Sequence, residues 1–274
     1  MSLLQALKFH GKTGDTMADK NYLHTAYANS ADGTDGFTTV YPNLNLLDGT
    51  MGFNGAWEVG SSVTSDGFKG NLLVKSQSSS GVGIFKRYIA TKDGDYTFST
   101  WVSATAGQSP SIIIGKNRVQ QASVALPNTA FDWFRVTYTL KNVKSGDEIT
   151  GRIDKFGDVF GKVSVAGHKW EYGSVATPYI PSASEVTTAD YPKYVGTYVD
   201  TNPTSSTDSS KYDWDDMKYR VYLDGVPVGG SQLLSFDLEN LKAGTSYNVQ
   251  VNQINGNDES DKSESVAFKT TLTK

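Results

Sequence analysis

Between residues 70 and 166, short apolar runs alternate with polar positions, and each run is closed by Gly, Asn, Asp or Ser. A period of two sends successive side chains to opposite faces of a strand, so this texture predicts strands at 70–76, 83–89, 95–103, 111–115, 131–140, 148–153 and 161–166. That many short strands suit two facing sheets around one core, and a jelly-roll β-sandwich is expected over 43–184. In 95–103 the pattern puts Tyr96, Phe98 and Val102 on one face, with Thr97, Ser99, Trp101 and Ser103 on the other. In 131–140 it separates Phe134, Val136, Tyr138 and Leu140 from Trp133, Arg135, Thr137 and Thr139. Two tryptophans thus fall on the polar side of their strands.

Strand texture resumes beyond residue 217, with runs at 218–223, 226–229, 233–238, 246–253 and 265–272. Asp224-Gly225 between the first two is a hairpin signal. The spacing of Leu241, Gly244 and Tyr247 matches a tyrosine corner, in which a phenol hydroxyl pins a strand entry to the backbone. At the other end, residues 2–9 (SLLQALKF) place Leu3, Leu4 and Leu7 at helical spacing. The stretch is shorter than the ~12 residues an isolated helix needs, so it should be disordered or docked on a partner.

Residues 22–39 (YLHTAYANSADGTDGFTT) and 192–214 (PKYVGTYVDTNPTSSTDSSKYDW) resemble two halves of a small module that recurs in tail and baseplate proteins of phages infecting Gram-positive bacteria. Residues 169–185 (KWEYGSVATPYIPSASE) resemble the closing strand and exit of the carbohydrate-binding sandwiches those proteins carry. The segment from 217 is similar to the second half of a fibronectin type III domain, although too short for a full sandwich. These resemblances imply an all-β chain: an attachment segment at 1–21, first part of the module at 22–42, the sandwich at 43–184, second part of the module at 185–216, and a partial fibronectin-like sandwich at 217–274. Insertion of the sandwich into the module and a plain series of small domains both fit the sequence. Residues 201–210 would pass for a linker on composition, whereas the module resemblance implies an ordered loop.

Composition narrows the chemistry. The 274 residues include no cysteine, which excludes disulfides, thiolate metal sites and cysteine nucleophiles. A net charge of −4 with scattered Lys and Arg offers no basic stripe for nucleic acid. No apolar run is long enough to span a membrane, and the start lacks the features of a signal peptide, so a soluble protein without an export signal is expected. No phosphate loop, dinucleotide fingerprint or hydrolase elbow is present, and neither a cofactor nor a metal is expected. His10, His24 and His168 are far apart, and two of them are expected in exposed loops or the N-terminal arm. Asp32 and Asp35 read as turn residues. Asp147, Glu148, Asp154, Asp158 and Glu171 supply carboxylates, yet no two stand out as a glycosidase pair.

Aromatic residues carry the remaining signal, because sugar rings present apolar C–H faces that pack on indoles while charged groups fix the hydroxyls. The candidate carbohydrate contacts are Trp101 and Trp133, with Arg135 beside the latter and Lys86 or Arg87 nearby in pattern, and Trp57 as an alternative platform on a glycine-flanked loop. Trp170 reads as core and Trp214 as the anchor of the small module. The resemblance implies a virion protein of tail or baseplate, made in the host cytoplasm, that binds host cell-wall or surface polysaccharide without catalysis. It would dock on other baseplate proteins through its N-terminal segment. A purely structural spacer is the alternative.

Overall fold

The computed structural model describes residues 8–11, 21–60, 63–157, 160–256 and 258–271. Every element longer than one turn among them is a strand. The chain divides into two compact units, Leu44–Val186 and a second built from Met1–Asn43 together with Thr187–Lys274.

The Leu44–Val186 unit is a two-sheet sandwich. One sheet has five strands in the order Phe131–Val143, Gly94–Ala104, Val163–Tyr172, Leu72–Gln77 and Val63–Lys69. The other has four, in the order Tyr88–Ile89, Glu148–Lys155, Pro110–Lys116 and Val119–Ala125. Tyr96, Phe98, Val102, Val136, Leu140 and Trp170 from the first sheet meet Ile112, Ile114, Ile149 and Ile153 from the second in one core. The alternation read from 95–103 and 131–140 holds, and Trp170 is fully buried.

Two strands went unpredicted, Val63–Lys69 and Val119–Ala125. Both are sheet edges with little burial on either face, so no apolar period marks them. In the predicted strand 83–89 only Tyr88–Ile89 joins a ladder.

The central strand Val163–Tyr172 is the key element. A register shift lies between Ala166 and Lys169, at Gly167, whose φ of +61° suits glycine. Strict alternation from Val165 would send Lys169 inward and Trp170 outward. The extra residue inverts that: His168 and Trp170 turn into the core, and Lys169 and Glu171 lie on the opposite face. There they are fully buried under the exit segment. Lys169 Nζ lies 3.2 Å from Glu171 and donates to Thr177 Oγ1 and the Pro178 carbonyl, each at 2.8 Å. Glu171 accepts the Thr177 N–H at 2.9 Å and the Thr177 hydroxyl. Burial pulls the Lys169 ammonium down to about 8, against the pull of Glu171. Further along, Glu185 accepts the Gly49 N–H and the Ser182 hydroxyl, closing the exit onto the entry of the same unit.

In the second unit, Asp213–Asp216, Tyr194–Asp200, Tyr22–Ala28 and Phe37–Thr38 form one sheet in that order. Trp214 fills the space over Gly33 and Gly196, where an added Cβ would come within 2.4 and 2.8 Å of its ring. His24 is buried, contrary to the exposed-loop expectation. It stacks on Tyr198 and bonds Ser205 Oγ and the Asn202 carbonyl, so loop 201–208 is fastened from beneath. Asp32 accepts from the N–H and hydroxyl of Thr34, ordinary turn bonding.

A second sheet of this unit runs Val226–Ser231, Tyr219–Leu223, Ser246–Asn255 and Asp258–Glu259, with Val266–Lys269 also on Ser246–Asn255. Asp224 and Gly225 turn the hairpin at φ +48° and +81°, and the Tyr247 hydroxyl accepts the Lys242 N–H at 2.8 Å, completing the tyrosine corner. Arg220 is buried between this sheet and the module side, pairing with Glu259 and the Tyr41 hydroxyl and lying 4.0 Å over the Tyr191 ring. Lys8–Gly11 pairs in parallel with Ser235–Leu238, so this part of the predicted attachment segment is a strand on its own chain. The helical pattern at 2–7 lies outside the described residues.

Replacing Glu171 by Gln leaves a buried ammonium without its counter-charge, and the expected loss is about 3 kcal/mol in urea denaturation. Replacing both members with Met and Leu should recover part of it, and a wild-type midpoint for the single variant would refute the role. His168 gives a pH test. Its Nε2 donates to the Ile84 carbonyl at 3.0 Å, Nδ1 meets Thr100 Oγ1 at 2.8 Å, and burial holds its pKa at about 4. Between the unfolded value near 6.5 and 4 the unfolded chain binds a proton that the fold refuses, so stability falls on acidification. Its contribution is complete above pH 6.5 and declines by up to about 3 kcal/mol towards pH 4. His168→Gln should flatten the urea midpoint between pH 6.5 and 5; an unchanged slope would contradict this.

Candidate functional site

Trp101 and Trp133 come together on the solvent face of the five-stranded sheet. Their strands are neighbours, with Arg135 directly opposite Trp101 in the ladder. Both indoles are half-buried against a floor of Leu72, Val74 and Ala166, with Met51 and Tyr179 at the margin. The Tyr179 hydroxyl is fixed to Thr50 Oγ1 at 2.7 Å. One ammonium, from Lys69, serves both rings, 4.6 Å from the centroid of Trp101 and 5.5 Å from that of Trp133. Both distances are within cation–π range. The floor holds the indoles from below and the Lys69 ammonium lies over them, an arrangement that presents partly exposed apolar surface at little cost in side-chain entropy.

The other three candidates are placed differently. Arg135 is on the same face, but its Nη2 donates to Ser99 Oγ at 2.7 Å and to the Thr177 carbonyl at 2.6 Å. Burial lowers its pKa and Glu171 counters that, so it braces the exit segment beside Trp101. Arg87 belongs with the other sheet: its guanidinium is held by Glu58 (2.5 and 3.0 Å) and by Glu148 (2.6 Å), over the Phe85 ring. Trp57 is half-buried, with Lys86 Nζ 5.7 Å from its ring centroid. Its ring packs edge-on against Phe53 at 4.9 Å and His168 at 5.9 Å, and Nε1 donates to the Asn54 carbonyl, so it plugs one end of the core.

Sequence reasoning missed Lys69, Met51 and Tyr179. Lys69 ends an edge strand without apolar period, although Gly67-Phe68-Lys69-Gly70-Asn71 carries a hairpin-like turn signature that could have exposed it. A separate hydroxyl-lined recess of about 670 Å³, bordered by Thr34, Phe37, Thr39, Ser205 and Thr207, lies in the second unit and includes neither tryptophan.

Four of the five carboxylates considered for hydrolysis are described, and each is engaged. Asp147 accepts from Asn117 and the Lys144 N–H, which lowers its pKa. Glu148 pairs with Arg87, Asp154 with Arg152, and Glu171 with Lys169. Asp158 lies outside the described residues.

A solved structure of the tripod (BppUct-A-L) from the baseplate of bacteriophage Tuc2009 contains a chain 48% identical to this one, matched over 94% of this chain and 100% of that one with a TM-score of 0.73. The chain belongs to this family of phage baseplate proteins. Residues 192–250 of the baseplate protein also match the family described as minor structural protein 5-like, C-terminal domain. Distant likenesses to this baseplate protein include a carbohydrate-binding module from Cellvibrio mixtus lichenase 5A, solved with cellotriose (12% identity; 49% of this chain, 99% of that; TM-score 0.33). Another is the enzymatically active domain of bacteriophage CBA120 tailspike protein 4 (11%; 47% and 22%; TM-score 0.36). Both are too remote to assign anything here. No curated protein matches the chain.

The two kinds of tryptophan should separate on mutation. Trp57→Ala opens a hole beside Phe53 and His168 and should cost about 3 kcal/mol in urea denaturation; a wild-type midpoint would place Trp57 on the surface.

Proposed function

We propose that this baseplate protein adheres to a saccharide of the host cell envelope through the Trp101–Trp133 face, and that it cleaves nothing. The observation that carries the reading is the pair of half-buried indoles, packed from below and set side by side on one face of the five-stranded sheet. Indole faces carry partial negative charge and attract the C–H groups of a sugar ring, and burial of the apolar sugar face adds to this. Supporting the non-catalytic part, Asp147, Glu148, Asp154 and Glu171 are each tied into an ion pair or a turn.

A shallow face buries little of a hydrated sugar, so each contact is weak. Several copies on one particle would raise overall avidity by about 10²–10⁴ without any new contact. Such adhesion is reversible at each site and firm for the particle. The relative's presence in a tripod favours a second reading, in which the chain is a spacer held by other virion proteins, with its N-terminal segment as the point of attachment.

The test is binding of the fluorescently labelled full-length protein to host cells, with Trp101→Ala and Trp133→Ala variants of wild-type urea midpoint. Adhesion predicts saturable labelling that survives protease treatment of the cells and falls at least about tenfold with either substitution. A folded protein that labels no cells, even when multimerised, would leave the spacer reading.

A further inference from the structure

The Trp101–Trp133 face carries a cation whose contacts among the described residues are aromatic rings and not a carboxylate. Lys69 Nζ is poised over both indoles, and no carboxylate among the described residues pairs with it. Other lysines of this unit show the contrast: Lys144 pairs with Asp93, Lys162 with Asp66 and Lys169 with Glu171. Arg135, opposite Trp101, adds a second positive charge, answered by oxygen dipoles of Ser99 and Thr177 at Nη2. Glu171, on the strand Val163–Tyr172, is engaged with Lys169 and Thr177. Asp132, beside Trp133 in sequence, turns back to accept the Trp133 N–H. Two cations, Lys69 and Arg135, thus stand beside the tryptophans without a carboxylate pair among the described residues.

Building on the adhesion reading, we infer that Lys69 makes the face selective for an acidic saccharide. Its ammonium would meet a phosphate or carboxylate substituent while the indoles carry the adjoining sugar ring. The chemistry is complementary on both counts. A cation held over an aromatic ring is partly desolvated and gains when an anion arrives, and hydrogen bonds between ammonium and anionic oxygen are about twice as strong as neutral ones. An unpaired lysine next to a stacking surface also explains selectivity without a pocket, since a neutral sugar would have to displace the ammonium from the rings and offer it nothing better.

The probe is polysaccharide purified from the host envelope, titrated against the full-length protein in 50 mM and 300 mM salt. Lys69→Gln, which leaves a polar side chain one atom shorter near the rings and removes the charge, should bind about tenfold more weakly at low salt. Wild-type affinity should fall with salt, and the variant's should fall less. Two chemically neutralised samples identify the anion: reduction of carboxyl groups to alcohols, and removal of phosphate esters. The treatment that removes the recognised group should bring wild type down to the level of Lys69→Gln and leave that variant unaffected. If Lys69→Gln binds as tightly as wild type or tighter, while Trp101→Ala has lost binding, Lys69 merely covers the rings; the charge selectivity is then wrong and adhesion stands. If wild type binds neither native nor neutralised polysaccharide, adhesion and selectivity fall together. Binding of acidic protein fractions in place of the polysaccharide would overturn the saccharide as occupant.

Discussion

The one-residue bulge at Gly167 is the constraint on which the sandwich depends. The strand that contains it is the centre of the five-stranded sheet, so a change of phase there reverses the side on which each later residue lies. Without the bulge, the aromatic bulk of Trp170 would face the exit segment and an ammonium and a carboxylate would face the isoleucines. With it, Trp170 joins the core, and Lys169 and Glu171 grip the backbone and hydroxyl of Thr177. Glycine is required on two counts: φ is positive, and a Cβ would stand 2.7 Å from Leu72 Cδ1. Leu72 is also the floor under Trp101 and Trp133, so the device that sets the phase of the core touches the base of the proposed binding face.

The same logic connects exit segment and site. Thr177 is held by the buried pair and by Arg135, and two residues later Tyr179 stands at the margin of the indole floor, tethered to Thr50. The sequence 169–185 is thus a chain of fastenings: Lys169 and Glu171 fix Thr177, Tyr179 edges the platform, Ile180 fills the interior, and Glu185 binds the entry of the unit at Gly49. A motif that looks like a family signature on paper is, physically, the means of closing a sandwich whose two ends must meet. In the second unit Trp214 plays the comparable part, lying where two glycines leave room for an indole.

Much of this was legible from residues alone, because burial on one face writes a period of two into the sequence. The faces of 95–103 and 131–140, the Asp224-Gly225 turn and the Tyr247 corner could all be read. What escaped reading shares one cause: no alternation reports it. The edge strands Val63–Lys69 and Val119–Ala125 bury little of either face, and with the first went Lys69. The bulge made 161–166 look like a finished strand when the ladder continues to Tyr172. His24 was misplaced because a polar ring looks the same in sequence whether it plugs an interior or faces water; only Tyr198 stacked on it decides the matter. The ion pairs of Arg87 with Glu58 and Glu148 could not be read either, because the partners are distant in sequence.

The most direct measurement is a crystal structure of the full chain soaked with oligosaccharides released from the host envelope polysaccharide. The account predicts a sugar ring lying flat on the indoles of Trp101 and Trp133, above Leu72 and Val74. Sugar bound in the recess beside Phe37 and Thr207, with the indole face bare, would contradict it.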